Sequence, residues 1–304
     1  MRKILFAIAF ISLFTTFVLA HDNLIKRNEN HQQDVTIKTV KVAGNVYVLY
    51  GQGGNIGVSA GKDGVLMIDD QFERISDRIK AALKELGSDT PRFIFNTHFH
   101  GDHTGGNPIF GKTGTIVAHD NVRKRLLMNE KPFPEFALPM ITYAESVSIH
   151  FNGEKVNAVH YSNAHTDGDT VIFFTSSNVV HLGDHFFAGK FPFVDLDSGG
   201  SVPGLIKNVG ELLQQIPSDA KIIPGHGEVS TLDRLKDYHQ MLTDTSLIVR
   251  KEMKNNKSLD EIKKAGLPEK YKDWGTGFIK TDAWIETIYK SYSMNMLDMK
   301  KMEK

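Results

Sequence analysis

The segment Asn96-Thr97-His98-Phe99-His100-Gly101-Asp102-His103-Thr104-Gly105-Gly106-Asn107 decides how the rest of the chain reads. It continues directly from Arg92-Phe93-Ile94-Phe95-Asn96, an apolar run with the length of a buried strand. In an extended backbone alternate side chains share a face, so His98 and His100 can point the same way. Gly101 permits a sharp turn. Beyond it, Asp102 and His103 are presented from a different direction. Two imidazoles on one side, and a carboxylate with an imidazole on the other, can serve two metal ions lying side by side.

Zinc favours imidazole nitrogen and carboxylate oxygen, and each ion needs about four ligands. The run supplies four such groups, so a two-ion site requires more from elsewhere. Three places offer them. His165 lies in Asn163-Ala164-His165-Thr166-Asp167-Gly168-Asp169, between two strand-like runs. Asp184 lies in His181-Leu182-Gly183-Asp184-His185, just past a third run, and His226 lies in Pro224-Gly225-His226-Gly227, past a fourth. Each sits in a glycine-containing loop at the end of a β run, where binding residues concentrate.

Outward from these loops the chain alternates between two periodicities. Short β runs are predicted at 35–40, 46–50, 57–60 and 64–68, the last two split by the turn signal Lys62-Asp63-Gly64. Residues 72–86 carry Ile75, Ile79, Leu83 and Leu86 at helical spacing, with Gly87 at the end. A strand at 115–118 and a helix at 121–128 follow. The second half repeats the theme: strands at 146–150, 155–161, 170–175 and 179–182, a helix at 202–216, and a short buried strand at 221–223. Residues 232–292 are mainly helical. Sheet-rich halves, each followed by helices, predict two packed sheets with helices outside, in one domain spanning 35–304.

The order H-x-H-x-D-H, then His165, then Gly183-Asp184, then Gly225-His226-Gly227, resembles the metallo-β-lactamase superfamily over about residues 35–227. The resemblance implies an α/β fold, a four-layer αβ/βα sandwich with the metals in a cleft at one edge. It implies two zinc ions, with His98, His100 and His165 on one. Asp102, His103 and His226 would hold the other, and Asp184 would bridge them. Iron or manganese suit the same donors where availability favours them. An Asp at the bridging position resembles glyoxalase II and the lactonases, whereas the lactamases most often have Cys or Ser there. In the Cys-bearing lactamases a Lys three residues further on grips the substrate carboxylate; here that position is Phe187, and Lys190 lies beyond it. Trp274-Gly275-Thr276-Gly277-Phe278 and the Asp167-Gly168-Asp169 stretch resemble a group of exported bacterial MBL-fold hydrolases. The implied chemistry is hydrolysis of a small acyl substrate (lactam, lactone, ester or thioester) by a hydroxide between the metals, with Asp102 as the catalytic residue directing it. A nuclease of the same superfamily and a metal-binding relic without activity are the alternatives.

The N-terminus reads separately. Arg2 and Lys3 precede an apolar run over 4–18, and Val18-Leu19-Ala20 fits the small-residue rule for cleavage after Ala20. A signal peptide at 1–20, a loose arm at 21–34 and a periplasmic or secreted location are therefore expected, with no membrane anchor remaining. The absence of cysteine removes thiolate nucleophiles and thiolate ligands. With 36 basic and 36 acidic residues, and 34 against 36 once Arg2 and Lys3 are gone, nothing favours a nucleic-acid partner. The pattern assigns no oligomeric state.

Other polar residues admit local readings. His21, His31, His150, His160 and His239 read as structural or surface histidines. His119 either lines the cleft or has a structural role beside a helix-capping Asp120, the latter favoured. For His181 and His185, packing at a strand end competes with support of a ligand. Asp169 either receives a proton from a ligand imidazole or organises its own turn. Phe186, Phe187, Phe191 and Phe193 read as core, with some free to line a pocket mouth.

Overall fold

Two mixed sheets form the middle of the molecule, as seen in a computed structural model that describes residues 35–129, 131 and 133–302. The expected signal segment 1–20 and arm 21–34 lie outside those residues. Seven strands make the first sheet: β1 (Lys38–Ala43), β2 (Val46–Tyr50), β3 (Ile56–Gly61), β4 (Gly64–Ile68), β5 (Phe93–Asn96), β6 (Thr115–His119) and β7 (Ile141–Tyr143). They lie in sequence order. The first four pair antiparallel and the last three add in parallel. The second sheet holds β8 (Ser146–Phe151), β9 (Glu154–His160), β10 (Thr170–Phe174), β11 (Val179–His181) and β12 (Lys221–Ile223). Its order is β12-β11-β10-β9-β8, antiparallel except for the parallel β11–β12 pair.

Side-chain alternation explains why both sheets are buried on two faces. In β10, Ile172 and Phe174 enter the core between the sheets, while Val171 points to the helical side. In β11 and β12, Val179 and Ile223 face inward and Val180 and Ile222 outward. Opposite them, Val46, Val48, Leu66, Ile68, Phe95 and Val117 supply the first sheet's half of that core.

Helices cover the outer faces. On the first sheet lie α1 (Ser76–Glu85), the one-turn α2 (Gly101–Thr104) and α3 (Asn107–Phe110), and α4 (Asp120–Met128). Val122 and Leu126 of α4 pack on Ala118 of β6. On the second sheet lie α5 (Val202–Gln215), α6 (Leu232–Lys254), α7 (Leu259–Ala265) and α8 (Thr281–Met302). Ser201 caps α5 and Thr231 caps α6, each accepting from a first-turn N–H. Leu205, Val209 and Leu212 of α5 join Leu235, Tyr238 and Leu242 of α6 and the fully buried Trp284 of α8. The layers run helix, sheet, sheet, helix, the αβ/βα sandwich expected from the sequence. Among the described residues no helix is long and apolar enough to cross a membrane.

Four local differences from the sequence reading have physical causes. β1 starts at Lys38 rather than Val35, because its register is set by pairing with Tyr50. The 72–86 helix opens with a 3₁₀ turn, Glu73–Ile75, before α1 begins. Edge strand β7 was not foreseen; it is three residues long, with two exposed, and carries almost no burial pattern. Gly101 is not in the left-handed region, so the turn there comes from the start of α2 and not from glycine.

Candidate metal centre

Every residue singled out in the H-x-H-x-D-H run and its three companions sits past a strand end on the same edge of the sandwich. β5 delivers His98, His100, Asp102 and His103; the β9–β10 loop delivers His165; the turns after β11 and β12 deliver Asp184 and His226. The structure brings all seven together. The ligand atoms of His98, His100 and His165 lie within 4.8 Å of one another, as do those of Asp102, His103 and His226. Asp184 stands between the two sets: Oδ2 is 3.3 Å from His165 Nε2 and 3.8 Å from His98 Nε2. Its Oδ1 is 3.1 Å from His103 Nε2 and 3.5 Å from His226 Nε2.

Hydrogen bonds on the far side of each ring fix which nitrogen faces the centre. His165 Nδ1 is 2.8 Å from the Phe193 carbonyl oxygen, which can only accept, so that nitrogen carries the proton. His100 Nε2 donates to Asp195 Oδ2 at 2.9 Å. His103 Nδ1 donates to Asp69 Oδ2 at 2.7 Å. Thr97 Oγ1 donates to Asp69, so it accepts from His98 Nδ1 at 3.1 Å. In the neutral rings the opposite nitrogens then present lone pairs inward: Nε2 of His98, His103 and His165, and Nδ1 of His100. Two of these lone pairs, on His100 and His165, face each other at 2.9 Å. His98 Nε2, His103 Nε2 and Asp184 Oδ1 are buried with no aligned hydrogen-bond partner. Buried polar atoms left so cost about 1–3 kcal/mol each. A cation would supply the missing partner, and these imidazole and carboxylate donors fit a metal ion.

Charge follows the same plan. Burial alone would raise the Asp184 carboxyl, but the imidazoles of His103, His226, His165 and His98 hold it well below the usual range. Burial would depress His103, but Asp184 and Asp69 outweigh it and hold the ring well above its usual value. His98 is held well below by burial and by the His103 ring, against the pull of Asp184. Burial takes His165 to about 4, against the pull of Asp184. His226 resists burial because Asp184 and Asp102 lift it to about 9. Asp102 stays low despite burial, because His226 and His103 favour its anion.

Close approaches of backbone make the cluster possible. A Cβ on Gly54 would stand 2.1 Å from His103 Cε1, and one on Gly225 would stand 2.0 Å from Asp184 Oδ1. Asn55 ties the His226 loop down, its side-chain amide donating to the carbonyls of Pro224 and Gly227.

A cleft of about 800 Å³ opens over the centre. Asp102 and His226 are about one-third exposed into it, whereas His98, His103 and His165 are closed off. Phe187 stacks on His226 at 5.1 Å, and Phe193 packs against both His100 and His165. Phe186 and Phe191 are buried in the core, although Phe191 also reaches the cleft floor.

The residues with competing readings now have places. Asp169 organises its own turn: its carboxylate accepts from the N–H groups of His165 and Thr166 and from the Thr166 hydroxyl. Its carboxyl is raised by burial to about 8. His119, and not Asp120, caps α4 by accepting from Asn121 N–H. It stacks at 3.6 Å on His160. His181 bonds to Asn55 O and Gly183 N–H, a packing role. His185 is buried beside Tyr161, and among the described residues neither ring nitrogen has a hydrogen-bond partner. The orienting groups Asp69, Thr97, Asp195 and the Phe193 carbonyl were missed. Only Asp69 left a trace in the sequence, in the carboxylate pair Asp69-Asp70 at the end of an apolar strand.

Comparison with known proteins gives the family and the fold. The profile described as "Metallo-beta-lactamase superfamily" matches residues 42–256. A hydroxyacylglutathione hydrolase of Nitrosococcus oceani is 29% identical over 158 residues, covering 49% of this chain and 55% of the relative. The chain thus spans about half the length of that curated relative. Among solved structures, a double mutant of the sec-alkyl sulfatase PisA1 aligns with a TM-score of 0.68 at 13% identity, over 84% of this chain and 50% of the other. DIM-1 metallo-beta-lactamase aligns at 0.59 and 18% identity, over 70% of this chain and 100% of the other. At these identities the structural matches speak for the fold.

Proposed function

The chain belongs to the metallo-beta-lactamase superfamily, and from that premise we propose that it is a dinuclear zinc-dependent hydrolase of a small acyl compound. The observation that carries this reading is the inward convergence of the imidazole lone pairs on the two oxygens of Asp184. His98, His100 and His165 would hold one ion, Asp102, His103 and His226 the other, with Asp184 between them. Iron or manganese would occupy the same donors where supply favours them.

When bound, such ions act as Lewis acids and lower the pKa of a water from 15.7 toward about 7. The chain's own groups do the rest. Asp102, ionised and open to the cleft, accepts a proton from the attacking water and fixes the direction of its lone pair. The water oxygen bonds to the acyl carbon, the bond from that carbon to the leaving atom breaks, and the proton passes to the leaving atom. Phe187 and Phe193 exclude bulk water from the reacting bond. Lactam, lactone, ester and thioester all satisfy this scheme. The nuclease alternative is disfavoured, because among the described residues Lys190 is the only Lys or Arg lining the cleft. A relic site is disfavoured by the presence of all seven donors.

We also propose export, on the Arg2-Lys3 start, the apolar run over 4–18 and Ala20. Mass spectrometry of the processed protein should find His21 at its N-terminus; an unprocessed N-terminus would overturn export.

The function is tested with a chromogenic cephalosporin, an acyl-homoserine lactone and a thioester on the zinc-loaded chain, with Asp102→Ala as control. Turnover of any one, lost in the variant, supports the proposal. Two bound ions with no turnover of the whole panel would count against it.

A further inference from the structure

Resting on that hydrolase reading, we propose that residues 274–279, together with Lys190, form a recognition arm that selects acyl compounds with an apolar body and a single anionic group. The Trp274-Gly275-Thr276-Gly277-Phe278 stretch has no part in holding the metals, yet its end lines the cleft over them. Phe278 is 91% exposed there and Phe193 39% exposed, an unusual disposition for rings with no polar handle. With Phe72, Phe187 and Ile279 they make the cleft walls largely apolar.

Lys190 is held at this mouth by the arm itself. The chain passes so close that a Cβ on Gly277 would stand 3.1 Å from Lys190 Cδ. The Phe191 N–H donates to the Trp274 carbonyl at 3.0 Å, pinning the arm on the other side. The Lys190 ammonium donates to Thr276 Oγ1. That hydroxyl spends its own proton on the Asp273 carbonyl at 2.7 Å, so it can only accept from Lys190. The ammonium is thus positioned by a neutral partner, and among the described residues no carboxylate pairs with it. An apolar substrate body laid against Phe187, Phe193 and Phe278 would place an anionic end within the reach of this one cation. A glutathione conjugate, with two carboxylates and an ammonium, would find one complementary charge and aromatic walls for the rest. The arm therefore selects against it.

The test uses matched 4-nitrophenyl esters on the zinc-loaded chain: the octanoate, and the monoester of octanedioic acid, which adds one terminal carboxylate. The acid ester should have the higher kcat/KM by about fivefold through KM, the scale of a partly exposed charge pair. Lys190→Met should bring the ratio near one, and Lys190→Arg should keep most of it. In Phe278→Ala the KM advantage of octanoate over butanoate should shrink. A ratio of one in the parent, or a ratio that survives Lys190→Met, overturns the inference and leaves the hydrolase reading standing. If neither ester is turned over, the functional reading suffers, and the inference is judged by calorimetric binding of octanoate against octanamide. A preference for octanoate that is lost in Lys190→Met supports it; equal affinities in the parent overturn it.

Discussion

Asp195 Oδ2 lies 2.9 Å from His100 Nε2, and this contact turns the ring so that Nδ1 faces the candidate metal centre. His98, two residues earlier, faces it with Nε2 because Thr97 holds its Nδ1. Both presentations would serve the ion proposed for this set, and both depend on partners outside the proposed ligands. Removing such a partner typically costs 10–100-fold in metal affinity. Asp195→Ala should therefore weaken one of the two binding steps in a chelator-competition titration by about that factor. Asp195→Asn, which can still accept through its amide oxygen, should fall between. Unchanged affinity in Asp195→Ala would show that packing alone holds His100.

His226 tests the proposed second ion. It is the candidate ligand most open to the cleft, with its Nε2 3.3 Å from Asp102 Oδ2 and 3.5 Å from Asp184 Oδ1. His226→Ala should lower the metal content from two ions per chain toward one, read by elemental analysis after dialysis. Activity on any substrate found should fall by a factor on the order of 10² or more, consistent with loss of an electrostatic stabiliser. Two ions retained would place the second ion elsewhere.

Gly54→Ala probes the fit between backbone and ring. The new methyl would overlap the His103 imidazole, which Asp69 holds in place from behind. Overpacking of this kind costs about 1–3 kcal/mol, or several degrees of Tm in a chain of this size. Metal affinity should fall with it. Gly101→Ala, where a Cβ meets nothing within 4 Å, is the control and should leave Tm nearly unchanged.

His119 should make stability fall with acid. Burial and the stacked His160 depress its pKa from 6.5 to about 4. The unfolded chain therefore takes up the proton first as pH drops. The stabilisation is complete above pH 6.5 and is lost as pH falls toward 4. His119→Gln can accept from Asn121 N–H and donate to Ala144 O without titrating. Denaturant melts at pH 7 and pH 4.5 should show a smaller loss in the variant, by roughly 1–2 kcal/mol. Equal losses would remove His119 from the acid response.

The sequence determined by itself whatever rests on neighbouring residues. His98, His100, Asp102 and His103 are tied to one another by a few covalent bonds, so their spacing declares their chemistry before any folding. The unbroken apolar run of β10 and the helical spacing of α5 likewise declare that these elements are buried. Only the tertiary structure decided what each ligand leans on. His103 meets Asp69 across 34 residues, His100 meets Asp195 across 95, and His165 meets the Phe193 carbonyl across 28. An Asp in a loop, or a backbone carbonyl, has no local pattern that marks it as an orienting group. The same holds for the 274–279 arm, whose meaning comes from Lys190 lying against Gly277. Such contacts are selected by the packing of whole layers, so they exist only once the two sheets and their helices have closed on one another.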